Sequence, residues 1–265
     1  MPLDPMEVVK IAREAGAAIM EVYTQEEMEV VSKSDSSPLT KADLDAHETI
    51  QAALRNADPL TPLVSEEGRS GNPHDSQYSW LVDPLDGTKE FVKRNGMFTV
   101  NIALMKHQSK RWTPEFGVVY APVDDIIWVG GADHQAERII GNNRSPIKVN
   151  EKPSKPIRLV ASGSHRGDSD ESFAEQLGDH ELIRMGSSLK ACVVAEGTAD
   201  LYPRFGPTSC WDIAAAHAVV ESAGGIVVGP NGKKLDYDIV NEVLNPFFLV
   251  ACSPIWNSIW VANQS

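Results

Sequence analysis

The sequence predicts a mixed α+β and α/β fold in two halves, with a large antiparallel sheet in residues 1–153 and a smaller mixed sheet in residues 154–265. Three patterns predict it. The chain opens with apolar residues at helical spacing, its middle alternates with a period of two, and its last part alternates strand-like with helical runs.

Asp4-Pro5-Met6-Glu7 places an N-cap, a proline suited to the first helical position and a capping-box glutamate ahead of Val8, Ile11, Ala15, Ile19 and Val22. After a turn-rich stretch at 32–38, Thr40 caps a second helix with Leu44, His47, Gln51 and Leu54 along one side. Asp43 lies in its first turn. Residues 61–65 and 78–83 read as strands, the first ending in Glu66-Glu67-Gly68 and the second in the turn Asp83-Pro84-Leu85-Asp86-Gly87-Thr88. From 97 to 106, Phe98, Val100, Ile102 and Leu104 alternate with Thr99, Asn101 and Ala103, and further runs at 117–120, 126–129 and 138–140 make the middle an antiparallel sheet. Residues 150–156 mark a connection between halves. Beyond it, strands at 157–161, 182–185 and 201–204 alternate with helices at 188–196 and 211–223, closed by Gly197 and Gly224-Gly225.

A chain of 265 residues can bury a core without disulfide or metal staples. Apolar runs such as 226–228 and 247–252 fall far short of the roughly 20 residues of a membrane-spanning helix. The N-terminus lacks the pattern of a secretory signal. A cytoplasmic protein without a transmembrane segment is expected, peripheral association with the inner membrane being left open. Cys192, Cys210 and Cys252 have no metal-ligand spacing and read as reduced, buried thiols. A net charge of −13 argues against a nucleic-acid polymer as partner. A small phosphorylated partner remains compatible if divalent cations invert the local field, which requires clustered carboxylates.

Asp83 and Asp86 flank a proline at a sharp turn, where two ionised carboxylates would repel and one would keep its proton unless a divalent cation intervened. Mg²⁺ suits such an all-oxygen site, and Glu66 offers a third carboxylate. Spacing alone leaves a second reading open, a type I turn whose aspartates only accept backbone hydrogen bonds. Leu85 and Gly87 stand where a calcium loop needs oxygen side chains, and neither HExxH, G-x-S-x-G nor a Walker loop occurs. Gly87-Thr88 can turn backbone amides toward a phosphate. His217 shares an apolar helix face with Ile213 and Val220 and reads as a packed histidine.

The segment Trp80-Leu81-Val82-Asp83-Pro84-Leu85-Asp86-Gly87-Thr88 resembles the first signature of the inositol monophosphatase superfamily, and Trp211-Asp212-Ile213-Ala214-Ala215 resembles its second. Val64-Ser65-Glu66-Glu67 and Pro38-Leu39-Thr40-Lys41-Ala42-Asp43 lie where that family has its upstream acidic and Thr/Asp segments. Within the superfamily the likeness is greatest to CysQ-type 3′(2′),5′-bisphosphate nucleotidases, through Lys89-Glu90-Phe91, Gly186-Ser187-Ser188-Leu189-Lys190, Leu201-Tyr202-Pro203-Arg204-Phe205-Gly206-Pro207 and Leu244-Asn245-Pro246.

The resemblance implies a layered αβαβα sugar-phosphatase fold and a lithium-sensitive, Mg²⁺-dependent phosphomonoesterase using two or more ions. Its substrate would be 3′-phosphoadenosine 5′-phosphate, giving AMP and phosphate, with 3′-phosphoadenylyl sulfate as a related one. Glu66, Asp83 and the Leu85 carbonyl would hold one ion, and Asp83, Asp86 and Asp212 another. A metal-bound water would attack in line, positioned by Glu66 and Thr88, with Asp43 accepting from Thr88. Substrate would meet Glu66, Leu85, Asp86, Gly87, Thr88 and Asp212 around the reacting phosphate, and His165, Ser187, Ser188, Lys190 and Arg204 elsewhere. An inositol or sugar monophosphatase of the same fold, and a catalytically silent nucleotide-binding protein, are the alternatives.

Overall fold

Helix α1 (Pro5–Tyr23) starts where Asp4 Oδ1 accepts the Met6 amide at 2.8 Å, and its buried stripe includes Val8, Ile11, Ala15, Ile19 and Val22. This is the helical spacing expected from sequence. The computed structural model describes residues 2–26, 30–32, 38–162 and 167–264. A short hairpin, β1 (Val30–Ser32) with β2 (Pro38–Thr40), leads into α2 (Lys41–Ala57).

The buried side of α2 is not the one that carries Leu44, His47 and Gln51. Ala42, Asp43, Ala46, Ile50 and Leu54 are buried, whereas Leu44 is 44% exposed and His47 and Gln51 are half-buried. The reason is Asp43. A carboxylate faces inward here, so the polar residue that marks a surface on most helices marks the buried side of this one.

The large sheet comprises β3 (Leu63–Ser65), β4 (Gly68–Ser70), β5 (Tyr78–Asp86), β6 (Thr99–Gln108), β7 (Arg111–Ala121), β8 (Ile126–Gly131), β9 (His134–Ile140) and β10 (Asn143–Pro146). Its order is β10-β9-β8-β7-β6-β5-β3-β4, antiparallel throughout except for the parallel pair β3 and β5. Helices α1 and α2 cover one face. On the other face lies α6 (Cys210–Ser222), packed on β6, β7 and β8. A Cβ built on Gly117 of β7 would fall 2.1 Å from the Ala215 carbonyl oxygen, so a bare backbone and the alanine-rich side of α6 together allow this close approach.

The small sheet runs β12-β11-β13-β15-β14, formed by β11 (Ile157–Ser162), β12 (His180–Met185), β13 (Leu201–Arg204), β14 (Ile226–Val228) and β15 (Phe248–Ala251). It mixes parallel pairs, β11 with β12 and β13, and antiparallel ones, β15 with β13 and β14. Helix α5 (Leu189–Ala195) lies with α6 between the two sheets. On the far side α4 (Asp168–Leu177) and α7 (Asn257–Ala262) bury Phe173, Leu177 and Trp260 against Leu159, Leu201 and Leu249. The result is the αβαβα layering. The remaining short helix, α3 (Thr88–Val92), follows β5 directly with Gly87 as its N-cap.

Each layer boundary is apolar. Ile19, Ile102 and Val118 share one cluster on the α1 side, and Ala215, Val219 and Tyr237 belong to a second on the α6 side. Burying one such aliphatic side chain contributes about 1.5–3 kcal/mol. Among the described residues, no helix is long and apolar enough to cross a membrane.

Candidate active site

Three separate chain segments bring carboxylates to one cleft. Strand β5 supplies Asp83 and Asp86 at its end, where its register on β6 slips between the pairs Asp83–Asn101 and Asp86–Thr99. Such a bulge re-aims side chains at the sheet edge. The parallel pairing of Ser65 with Val82 sets the next residues, Glu66 and Asp83, side by side, and the Glu66 amide donates to the Val82 carbonyl at 3.1 Å. Glu66 also occupies the two-residue loop closing the β3–β4 hairpin, in which Ser65 pairs with Gly68. The last carboxylate, Asp212, comes from the first turn of α6, where its Oδ2 accepts the Ser209 amide at 2.9 Å.

The cleft has a volume of about 400 Å³. Glu66, Asp83, Leu85, Asp86, Gly87, Thr88, Ser187, Ser188, Lys190, Arg204 and Asp212 all line it. Asp43 stands behind Thr88: its Oδ1 accepts the Thr88 hydroxyl at 3.2 Å, and its Oδ2 accepts the Thr40 amide and hydroxyl at 2.8 and 2.7 Å. His165 lies outside the described residues. Gly87 has φ +93°, and a Cβ there would stand 2.9 Å from the Met97 carbonyl oxygen, so the turn needs glycine on both counts.

The carboxylates of the cleft are electrostatically loaded. Burial raises the Asp83 carboxyl well above the usual range, and Glu66, Asp86, Asp212 and Asp43 push the same way. Burial likewise raises Asp212 well above that range, followed by the charge of Asp86, while the Ser209 amide and Arg204 work against the rise. Removing this penalty takes either protons or a cation.

Lys190 and Arg204 bring positive charge into the same cleft. Lys190 is 7% exposed, donates to the Ser187 carbonyl at 2.6 Å, and lies 5.4 Å from the centre of the Tyr202 ring. Burial depresses its ammonium to about 8, against the pull of Asp86. Arg204 donates to the Pro207 carbonyl at 2.9 Å, and its Nε is shielded from water without a partner among the described residues.

Sequence reasoning missed Thr99 and Asn101, both buried and hydrogen-bonded to Ser188. A hydroxyl and an amide inside an otherwise apolar run were the available signal. It also gave no role to Glu90, which lines the cleft beside Thr88 and Lys89. His217 is packed as expected, its Nδ1 2.7 Å from the Tyr237 hydroxyl and its Nε2 3.3 Å from Glu221.

Among the described residues, no three acidic, histidine or cysteine side chains are close enough by themselves to hold a metal ion. The acidic groups line the walls of one cleft instead, and their fit to Mg²⁺ is chemical. Carboxylates and the Leu85 carbonyl are hard oxygen donors, and a small divalent cation would relieve the repulsion that raises Asp83 and Asp212.

A five-layer αβαβα fold with an acidic cleft between its sheets defines a class, and the pattern of the inositol monophosphatase family matches residues 3–258. The chain belongs to that family. Within it, the chain is similar to the 3′(2′),5′-bisphosphate nucleotidase CysQ of Escherichia coli (strain K12), at 48% identity over 249 residues covering 92% of this chain and 98% of that one. The CysQ of Buchnera aphidicola subsp. Acyrthosiphon pisum is 39% identical over 245 residues, covering 89% and 88%. Among solved structures, CysQ from Bacteroides thetaiotaomicron matches with a TM-score of 0.81 and 36% identity over 94% of this chain and 97% of that one.

Proposed function

We propose that this protein is a Mg²⁺-dependent phosphomonoesterase that removes the 3′-phosphate of 3′-phosphoadenosine 5′-phosphate, giving AMP and phosphate. One observation carries the reading: a single cleft is lined both by Glu66, Asp83, Asp86 and Asp212 and by Lys190 and Arg204. A substrate with two phosphates can meet both sets of groups. The similarity to proteins named 3′(2′),5′-bisphosphate nucleotidase supports the same choice.

Glu66, Asp83, Asp86, Asp212 and the Leu85 carbonyl are the groups that would hold two or more Mg²⁺ ions. Bound Mg²⁺ supplies positive charge that polarises the phosphoryl group and makes water a better nucleophile at neutral pH. The Thr88 hydroxyl faces two acceptors, Asp43 Oδ1 at 3.2 Å and the Leu85 carbonyl at 3.3 Å; with the Leu85 carbonyl given to the cation its proton would go to Asp43, and its oxygen would be left to accept from the attacking water. Glu66, set beside Asp83 by the pairing of β3 with β5, would accept a hydrogen bond from the same water and fix the line of attack. Gly87, without a side chain, lets the reacting phosphate approach the backbone. Lys190 and the unpartnered Nε of Arg204 hold the 5′-phosphate, and Arg204 presents a planar fork suited to it. The buried, unpaired thiols of Cys192, Cys210 and Cys252 fit a reducing cytoplasm.

Phosphate release from a substrate panel tests the reading. Turnover should be fastest with 3′-phosphoadenosine 5′-phosphate and slower with 3′-phosphoadenylyl sulfate. Faster turnover of inositol 1-phosphate would overturn the nucleotide assignment, and no release from any substrate would leave a silent binding protein.

A further inference from the structure

Polar side chains recur every fourth residue along α2, at Asp43, His47, Gln51 and Arg55. Residues four apart stand one above another on a helix, so these form a single row. Three of them bond to other segments of the chain. Asp43 accepts the Thr88 hydroxyl at 3.2 Å, His47 Nδ1 stands 3.0 Å from Ser65 Oγ, and Arg55 donates to Ser70 Oγ from Nε at 3.1 Å and from Nη2 at 2.8 Å. Gln51 lies between His47 and Arg55 in the row, its amide nitrogen 3.4 Å from His47 Nε2.

Ser65 and Ser70 belong to the β3–β4 hairpin, Ser65 at its turn and Ser70 at its open end. Each strand has three residues, and among the described residues β4 pairs with β3 alone, at the edge of the sheet. A hairpin that short is marginal unless something packs against it. Ser65 is 4% exposed and ends β3 immediately before Glu66. Its hydroxyl faces His47 Nδ1 and, at 3.4 Å, the Glu67 amide, so it ties the turn to α2. The imidazole also lies against the far side of that turn, since a Cβ built on Gly68 would stand 3.6 Å from His47 Nε2. A hydroxyl and an imidazole nitrogen can each donate or accept, so the bond forms in either tautomer, and Nδ1 donates in the cation as well.

We infer that His47 is a positioning residue for Glu66, acting through Ser65. It does not line the cleft. It fixes the turn that carries Glu66 against α2, the helix whose Asp43, one helical turn away, orients Thr88. A single rigid element thereby sets both side chains proposed to hold the attacking water. The inference rests on that role of Glu66 and on its place as a Mg²⁺ ligand.

Ser65→Ala and His47→Leu each remove one side of the bond, and His47→Asn returns an amide near the position of Nδ1. Calorimetric titration of Mg²⁺ into the substrate-free protein should give a Kd raised on the order of tenfold in Ser65→Ala and in His47→Leu, as when a partner that orients a metal ligand is lost. The two losses should be less than additive in the double variant, and His47→Asn should bind Mg²⁺ nearly as the parent does. At saturating Mg²⁺, kcat should fall by a similar factor in the first two variants, with KM for 3′-phosphoadenosine 5′-phosphate little changed, because the pair sets the nucleophile and not the substrate. A lowered Tm with Mg²⁺ Kd and kcat at parent values would make the bond merely structural and overturn the inference, as would a His47→Asn variant impaired as much as His47→Leu. Ser65→Ala, which removes one oxygen atom, carries the test alone if His47→Leu does not fold. Glu66→Gln separates the two layers of argument. If it binds Mg²⁺ and turns over as the parent does, the reading of Glu66 fails; if it is impaired while Ser65→Ala and His47→Leu are not, only the positioning role fails.

Discussion

Thr88 Oγ1 donates to Asp43 Oδ1 at 3.2 Å, joining the end of β5 to the first turn of α2 across 45 residues of sequence. The other oxygen of Asp43 caps α2 through Thr40, so the start of the helix and the orientation of Thr88 depend on the same carboxylate. Thr88→Val keeps the shape and removes the hydroxyl. Its kcat should fall on the order of a hundredfold, the cost of losing one group that aligns the nucleophile, while Mg²⁺ affinity stays at the parent value. Asp43→Asn should lower kcat similarly and also lower Tm, because the Thr40 hydroxyl and amide lose a charged acceptor. Thermal melts and steady-state kinetics on both variants distinguish the two functions of Asp43.

Burial and then the like charges of Glu66, Asp86, Asp212 and Asp43 all raise the Asp83 carboxyl. Asp83→Asn should therefore leave the Mg²⁺-free fold at neutral pH as stable as before or more so, because a repelled charge is removed. Turnover should fall on the order of a thousandfold or more, because the side chain proposed to be shared by both ions is lost. Near-parent activity at saturating Mg²⁺ would remove Asp83 from the metal site.

The strands, the helices and the acidic turn were legible because each depends on local periodicity or on residues close in sequence. The inner side of α2 was not. Its apolar count favours Leu44, but burial follows Asp43, whose partner Thr88 lies on another element. Thr99 and Asn101 were hidden for a related reason. Strand β6 is covered on both faces, by α1 on one and α6 on the other, so its alternation does not separate core from solvent. The anchoring of Asp86 by Ser187 crosses 101 residues, and no spacing rule reaches that far.

Removal of Mg²⁺ should make stability pH-dependent with a definite sign. Asp83 and Asp212 have raised carboxyl pKa values, so the fold binds their protons more tightly than the unfolded chain does. The folded state then holds more protons, and stability declines as pH rises from about 4 through the raised range of both groups. Saturating Mg²⁺ should flatten that decline by neutralising the charge. Tm measured from pH 4 to 8 with chelator and with Mg²⁺ gives the comparison, and parallel curves would show that no cation is held by these carboxylates.

Arg204 is proposed to bear on substrate choice. Its buried Nε lacks a partner among the described residues, and a charged hydrogen bond made there would contribute about 1.5–3 kcal/mol. Arg204→Ala should raise KM for 3′-phosphoadenosine 5′-phosphate on the order of ten- to a hundredfold and leave KM for adenosine 3′-monophosphate nearly unchanged. Equal changes for the two substrates would take Arg204 out of the 5′-phosphate site.

Lys190 should make substrate binding in the cleft sensitive to pH. Burial lowers its ammonium to about 8, so it is charged at pH 7 and increasingly neutral above 8. The loss of charge should appear in KM for the bisphosphate, which rises as pH passes from 7 to 9, because the attraction for the 5′-phosphate disappears with the proton. Adenosine 3′-monophosphate, lacking that phosphate, should show no such rise, which separates Lys190 from any titration of the cleft carboxylates. Lys190→Arg keeps its charge at every pH in this window, and its KM profile should be flat even if its absolute value is higher. A rise in KM that persists in the arginine variant would assign the pH dependence to another group.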